Sequence, residues 1–383
     1  MYRKTYAKIN LCNLMQNIKN VQNNLSKNSG VVAVVKADAY GHGAVQCSKA
    51  AIRAGACALA VALAEEALEL CRQGIVDTPI IIIGRSNPEQ LKLAVQLKLE
   101  PCVFTVQDIV LLEEFAQKQN VIVNVHLKID TGMGRIGIRD FVELEQVLET
   151  IKKCRCVLLK GVFTHFANSD AQDKTDALAQ NEKFMRFVAR INQAGLKPLV
   201  HVDNSAGAID LPQFSYDMVR FGISMYGYYP SPYVNKKSVP LLPVMQVAAE
   251  VSNVKEIEIG AGVGYGSTFV AQRKSRIATV QIGYGDGYNR LLSNRGKMIV
   301  HTKNGAQYAN IVGRVCMDQT MIDITDIAGE VSVGDMVTVL GTVNDKSISA
   351  DDLAQLCGTI SYEVLLDFSK RVPRVYEAEE FYE

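Results

Sequence analysis

The stretch VVAVVKADAYGHGA (31–44) drives five apolar residues into a lysine. A continuous apolar run rich in valine suits a strand buried on both faces. An ammonium is costly to desolvate there, so Lys36 either reaches back to water or has its pKa lowered and serves as an amine in chemistry. Other apolar runs also close on polar residues: Lys128 and Asp130 in IVNVHLKID, His165 in LLKGVFTHF, Asn204 in LVHVDN and Arg220 in MVRFG. Each alone reads as an ordinary solvated strand end. They become a candidate site if the fold gathers those ends at one place.

The elements that must position them alternate along the first two thirds of the chain. Strand candidates are VVAVVK, ALAVA (58–62), PIIIIG (79–84), PCVFT (101–105), IVNVHLKID (122–130), LLKGVFTHF (158–166), LVHVDN (199–204) and MVRFG (218–222). Helix-like segments such as AVQCSKAAIRAG, LAEEALELCRQG, NPEQLKLAVQLK and QNEKFMRFVARINQAG lie between them, several ending in glycine as a helix C-cap does. Eight alternating units with right-handed crossovers close into a parallel (β/α)8 TIM barrel. The segment YYPSPYVNKKSVPLLP (228–243) holds four of the ten prolines and reads as a linker. Beyond it come closely spaced strand candidates with glycine-rich turns and one helix, SADDLAQLCG. The expectation is α/β: a barrel over 1–238 and a mostly β domain over 239–383, with the first ten or so residues packing on the second domain.

Barrel active sites lie at the C-terminal ends of the strands, so the polar strand ends would share one mouth. GMGRIG (132–137) matches the dinucleotide pattern G-x-G-x-x-G but follows the fifth strand, and the next strand ends in His-Phe where an acid should hold a ribose. A better anion cradle is RFGISMYG (220–227), where Gly222 permits close backbone approach, with the hydroxyl of Ser205 in DNSAG nearby. Barrels often bind phosphate after strands seven and eight. With Lys36 expected across the ring, amine and phosphate cradle together suit a phosphorylated aldehyde, and pyridoxal 5'-phosphate (PLP) is the obvious one. GAGVGYGSTF (260–269) and IGYGDGY (282–288) each hold a tyrosine between glycines. Glycine density predicts β-turns, and a phenol held out on a loop toward a cofactor is the other reading.

Composition narrows the partners. Basic and acidic residues number 41 and 40, without long blocks of either sign, so neither nucleic acid nor a membrane surface is implied and a small-molecule partner is expected. Nine scattered cysteines with no C-x-x-C pair favour a reducing compartment over a disulfide framework or a zinc site, and no metal is expected. Neither a signal peptide nor a membrane-length apolar run is visible, so a cytoplasmic location is expected.

The ordered set AVVKADAYGHG, HLKIDTGMGRIG, FTHFANSD, HVDNSAG, MVRFGISMYG, GYGSTF, IGYGDG, GRVCMDQ and ISYEV resembles the bacterial alanine racemases over nearly the whole chain. The resemblance implies PLP-dependent interconversion of L- and D-alanine, supplying D-alanine for peptidoglycan, in a homodimer with active sites shared between subunits. It implies that Lys36 carries PLP and is the base for the D-enantiomer, with Tyr265 from the partner subunit as the opposite base. Tyr40, Ser205, the Gly222 and Ile223 backbone and Tyr362 would hold the phosphate, with His165, Asn204 and Arg220 also at the cofactor. Arg135 and the partner's Met317 backbone would bind the substrate carboxylate. Lys128 matches a position often carbamylated to N6-carboxylysine, there orienting Arg135, and Tyr284 would line the entrance.

The chemistry fits those types. Racemisation needs a base on each face of the Cα carbanion. A phenol with a reference pKa of about 10 needs positive charge or hydrogen bonds to act near neutrality, which His165 and Arg220 are placed to supply. Arginine gives up a proton poorly, so at the ring nitrogen it would make a weaker electron sink than an acid and suppress transamination. A serine or broad-specificity racemase is the alternative within the family. A PLP decarboxylase would place an acid and a cysteine where Arg220 and Tyr265 stand, and a PLP carrier would lack the second domain. Asp203, where a small apolar residue is expected, and Gly285, where alanine is common, depart from the pattern.

Overall fold

The computed structural model describes residues 3–377. The chain forms two compact units: Cys12–Ala39 with Gly43–Leu242, and the chain before Cys12 with Tyr40–His42 and the chain from Pro243 onward. The division falls inside the proline-rich segment.

A short strand, β1 (Tyr6–Asn10), precedes the barrel strands β2 (Gly30–Val34), β3 (Ala58–Val61), β4 (Ile80–Ile82), β5 (Glu100–Val103), β6 (Val123–Lys128), β7 (Val157–Phe163), β8 (Leu199–His201) and β9 (Met218–Phe221). Parallel pairing runs from β8 back through β2 to β9. The ring closes between β8 and β9 through backbone bonds from Asp217 N to Val200 O (3.1 Å) and Arg220 N to Asp203 O (2.9 Å). Strands β2 to β5 are buried throughout apart from Gly30, as strands under a helical layer must be. Each fully buried valine or leucine side chain is worth about 1.5–3 kcal/mol of transfer free energy.

Local signals set the helix starts. Asn87 accepts from Gln90 N with Pro88 at the first helical position, and Thr105 accepts from Asp108 N while Asp108 returns to Thr105 N. Asn120 ends the helix Val106–Gln119 in the left-handed region. The strands stop earlier than their apolar runs suggest. Lys36, Asp130, His165 and Asn204 lie past the last ladder residues, and β2 is the immediate neighbour of β9 instead of lying across the ring from it.

In the second unit the long strand β10 (Met245–Ile257) pairs antiparallel with β1, with Met336–Val343 and with Ser275–Val280. β1 also pairs parallel with Arg374–Glu377. The expected helix is Ala350–Cys357, capped by Ser349 and closed by Gly358 at φ 71°. ISYEV adds a second, Ser361–Asp367, which the sequence reading did not assign to a helix. Its N-cap is Ile360, which has no side-chain acceptor, so the local start signal was absent.

Candidate active site

At the barrel mouth Lys36 begins a left-handed helical segment, Lys36–Gly41, in which Ala37, Asp38, Ala39 and Tyr40 all have φ of 51–53°. L-residues pay for that conformation and normally adopt it singly. Ala39 N donates to Val35 O and Gly43 N to Asp38 O, each at 2.9 Å, while the Asp38 carboxylate accepts from Ala44 N at 2.7 Å. The Lys36 amine is held below its ordinary range by burial and then by the Arg135 charge, with Glu66 opposing both.

Arg135 sits on a pinned loop. Ile129 and Ile138 form a bridge, Asp130 N and Ile138 N bond across it, and the Asp130 carboxylate accepts from Gly132 N and Gly134 N. Gly137, at φ 123°, lets this base close: a Cβ there would stand 2.8 Å from Asp130 N. Burial, and then the two loop amides, act in opposite directions on Asp130, and its carboxyl ends below the usual range. Lys128 is buried and donates to Ile129 O at 2.9 Å; burial, and then the Arg220 charge, bring its pKa down to about 7.

Arg220 is the hub. Nη1 donates to His201 Nδ1 (3.1 Å) and His201 O (2.9 Å), and Nη2 to Thr164 O (2.8 Å), Val202 O (2.8 Å) and His165 Nδ1 (3.3 Å). Its Nε–H has no acceptor among the described residues. Burial lowers its pKa to about 10, so it stays a cation at neutral pH. Because a guanidinium can only donate, His201 Nδ1 accepts, and its Nε2–H must donate to His126 Nδ1 (2.9 Å). His126 Nε2–H then donates to Glu100 (2.9 Å). Gly161 leaves room for this chain, since a Cβ there would strike the His126 ring. Burial, and then the Arg220 charge, keep His201 well below its usual range, and the same two causes act on His165.

The anion cradle lies on the neighbouring strand ends. Asn204 caps the helix Ser205–Asp210, accepting from Gly207 N at 3.1 Å and from Ser169 Oγ at 2.9 Å. Ser205 Oγ accepts from Gly222 N at 2.9 Å, and the buried Ile223 amide has no acceptor among the described residues. Lys36, Lys128, Arg135, His165, Asn204, Ser205, Arg220, Gly222 and Ile223 thus belong to the barrel unit.

The remaining predicted residues belong to the β unit. Tyr40 and Tyr362 have ring centroids 6.0 Å apart, and burial pushes the Tyr40 phenol up. Tyr265 is 70% exposed on the turn Tyr265–Ser267, and with Met317 it borders an open concavity of about 1030 Å³. Met317 O accepts from Gly285 N at 2.8 Å, and the Met317 amide has no acceptor among the described residues. Tyr284 is also exposed, on its own turn. Both glycine-flanked tyrosines therefore stand on tight turns with their rings in solvent.

Sequence reasoning missed Glu100, His126 and His201. The period-two alternation of a strand was the available signal: His126 shares a face with Lys128, and His201 precedes the strand-end Asn204. No group of His, Cys, Asp or Glu among the described residues could hold a metal ion, and no helix among them is long and apolar enough to cross a membrane.

Fold and mouth together define a class: a parallel (β/α)8 barrel joined to a β unit, with a lysine amine, an arginine hub and an anion cradle at the strand ends. Residues 9–230 match the model for the alanine racemase N-terminal domain, and residues 244–376 the model for its C-terminal domain. The alanine racemase of Clostridium novyi (strain NT) is 41% identical over 378 residues, 98% of this chain and 95% of its own length. Among solved structures, the alanine racemase of Clostridium difficile 630 superposes with a TM-score of 0.92 at 36% identity, covering 98% of this chain and 96% of that one. The histidine racemase of Leuconostoc mesenteroides subsp. sake has a TM-score of 0.89 at 28% identity, covering 98% and 99%. The chain belongs to the alanine racemase family.

Proposed function

We propose that the protein interconverts L-alanine and D-alanine with PLP, by two bases: Lys36 and the partner subunit's Tyr265. The observation that carries this reading is the convergence of the Lys36 amine, the open Arg220 Nε–H and the unpaired Ile223 amide at one barrel mouth in a chain of this family. Those two open donors fit the ring nitrogen and phosphate of PLP, with Ser205, Tyr40, Tyr362 and the Gly222 backbone as the other proposed phosphate ligands, and Asn204 and His165, the latter beside Arg220, also proposed at the cofactor. When bound, the cofactor supplies an electron sink that acidifies the substrate Cα–H.

The chain's own residues do the rest. Burial, and then the Arg135 charge, lower the pKa of the Lys36 amine, so it gives up a proton at Cα more readily than a solvated lysine does. Arg135, on its pinned loop, orients the substrate carboxylate with the open amide of the partner subunit's Met317. Tyr284 flanks the entrance. Lys128, an amine at about pKa 7, has the neutral form that can attack carbon dioxide and release a proton as the carbamate forms. A 13C carbamate signal after bicarbonate labelling, lost in Lys128→Ala, checks this; no such signal in the wild type overturns it.

The experiment is the optical rotation of L-alanine, and separately L-serine, with the purified protein and added PLP. Decay to zero, faster with alanine, supports the proposal. Faster decay with serine favours the broad-specificity reading, which the histidine racemase of the same fold keeps in view. Persistent rotation overturns racemisation. The nine scattered cysteines, with no C-x-x-C pair, support a cytoplasmic location, and the even charge balance supports a small-molecule partner.

A further inference from the structure

We infer that Glu66 is a positioning residue for Lys36: one carboxylate clamps the left-handed segment after Lys36 to the end of the next barrel strand. The inference rests on the proposed role of Lys36. Glu66 Oε1 accepts from Ala37 N at 2.6 Å, and Oε2 accepts from Ala62 N at 2.7 Å and Leu63 N at 3.2 Å. Ala37 is the first left-handed residue after Lys36, while Ala62 and Leu63 join β3 to the helix Ala64–Arg72. Leu63 is the N-cap of that helix and its side chain accepts nothing, so Glu66 supplies the side-chain half of the cap.

Four consecutive L-residues at positive φ persist only if the surroundings hold them. Within the segment, Asp38 secures the far end through Ala44 N, and Ala39 N reaches back to Val35 O. The Ala37 amide, next to the lysine, is held by Glu66. β2 and β3 pair directly, and Val35 N donates to Ala60 O at 2.9 Å, so the carboxylate extends that strand pairing past the point where the backbones turn away. Only a carboxylate offers an acceptor oxygen to both sides at once; an amide offers one and a misplaced donor. The same group is the negative charge that opposes the lowering of the Lys36 amine, so geometry and charge act on one atom.

The test compares wild type, Glu66→Gln and, as a control, Glu65→Gln, whose carboxylate lies on the same helical turn but bonds the exposed Gln90 amide. Glu66→Gln is expected to speed amide hydrogen exchange over residues 37–44 about tenfold. In the PLP-loaded protein it is expected to lower kcat about tenfold with KM for alanine within about twofold, because the amine is displaced while the carboxylate-binding groups are not. The acid limb of kcat is expected to move to lower pH as the negative neighbour is lost. Glu65→Gln should change none of these. Wild-type exchange over 37–44 in Glu66→Gln overturns the clamp, and faster exchange with unchanged kcat overturns the positioning role. If the turn loosens while the wild type leaves alanine unracemised, the clamp stands and the functional proposal falls.

Discussion

At the scale of single residues, Asp203 is a buried carboxyl of the barrel unit whose position is costly. It is fully buried, and neither carboxylate oxygen has a hydrogen-bond partner among the described residues. Burial pushes its carboxyl well above the usual range, against the opposing Arg220 charge. A carboxyl raised in the folded state binds its proton there more tightly than in the unfolded chain. Its penalty is therefore absent below the unfolded pKa of about 3.9 and grows as pH rises above it. Asp203→Ala is expected to raise stability at pH 7 by about 1–2 kcal/mol, with the gain shrinking as pH falls toward 4. Urea unfolding at the two pH values checks this, and an equal gain at both would exclude the titration as its cause.

Among the elements, the loop carrying Arg135 closes at its base only because Gly137 allows a close backbone approach. A side chain at Gly137 would meet Asp130 N and the Lys128 stem, and its φ of 123° is one that L-residues rarely adopt. Gly137→Ala is expected to destabilise the fold by about 1–3 kcal/mol. It should also raise KM for alanine more than it lowers kcat, because Arg135, on the displaced loop, is the group proposed to bind the substrate carboxylate. Thermal unfolding and steady-state kinetics read the two effects, and an unchanged KM would detach the loop from substrate binding. The left-handed segment is the same kind of device: strain beside the Lys36 amine, held by the Glu66 side chain from elsewhere and by Asp38 within it.

For the whole molecule, the question is where the second base comes from. Tyr265 and Met317 are exposed on the β unit and border an open concavity. A homodimer that shares its sites predicts complementation. Lys36→Ala and Tyr265→Ala should each be inactive, yet a mixture allowed to exchange subunits should recover about a quarter of wild-type activity, since half the dimers are mixed and each holds one intact pair. No recovery after verified exchange would mean that both bases come from one chain.

Much of this was legible in the amino-acid order. Apolar runs with intervening capped helices define a parallel barrel, because burial on both faces and helix termini leave local marks such as Asn87-Pro88 and Thr105, and Ser349 with Gly358 marks the helix of the β unit in the same way. The polar strand ends of the candidate site were visible for the same reason. What was not legible depends on register and close packing. Glu100, His126, His201 and Arg220 are far apart in sequence and form one hydrogen-bonded chain because adjacent and facing strands align them. Left-handed φ at Ala37–Tyr40 contradicts the preference of every residue there, so contacts from other segments must impose it. Local propensity and pattern determine which segments become strands and helices. Tertiary structure decides which buried polar groups meet, because a hydrogen bond depends on a distance of a few tenths of an ångström that no single segment controls.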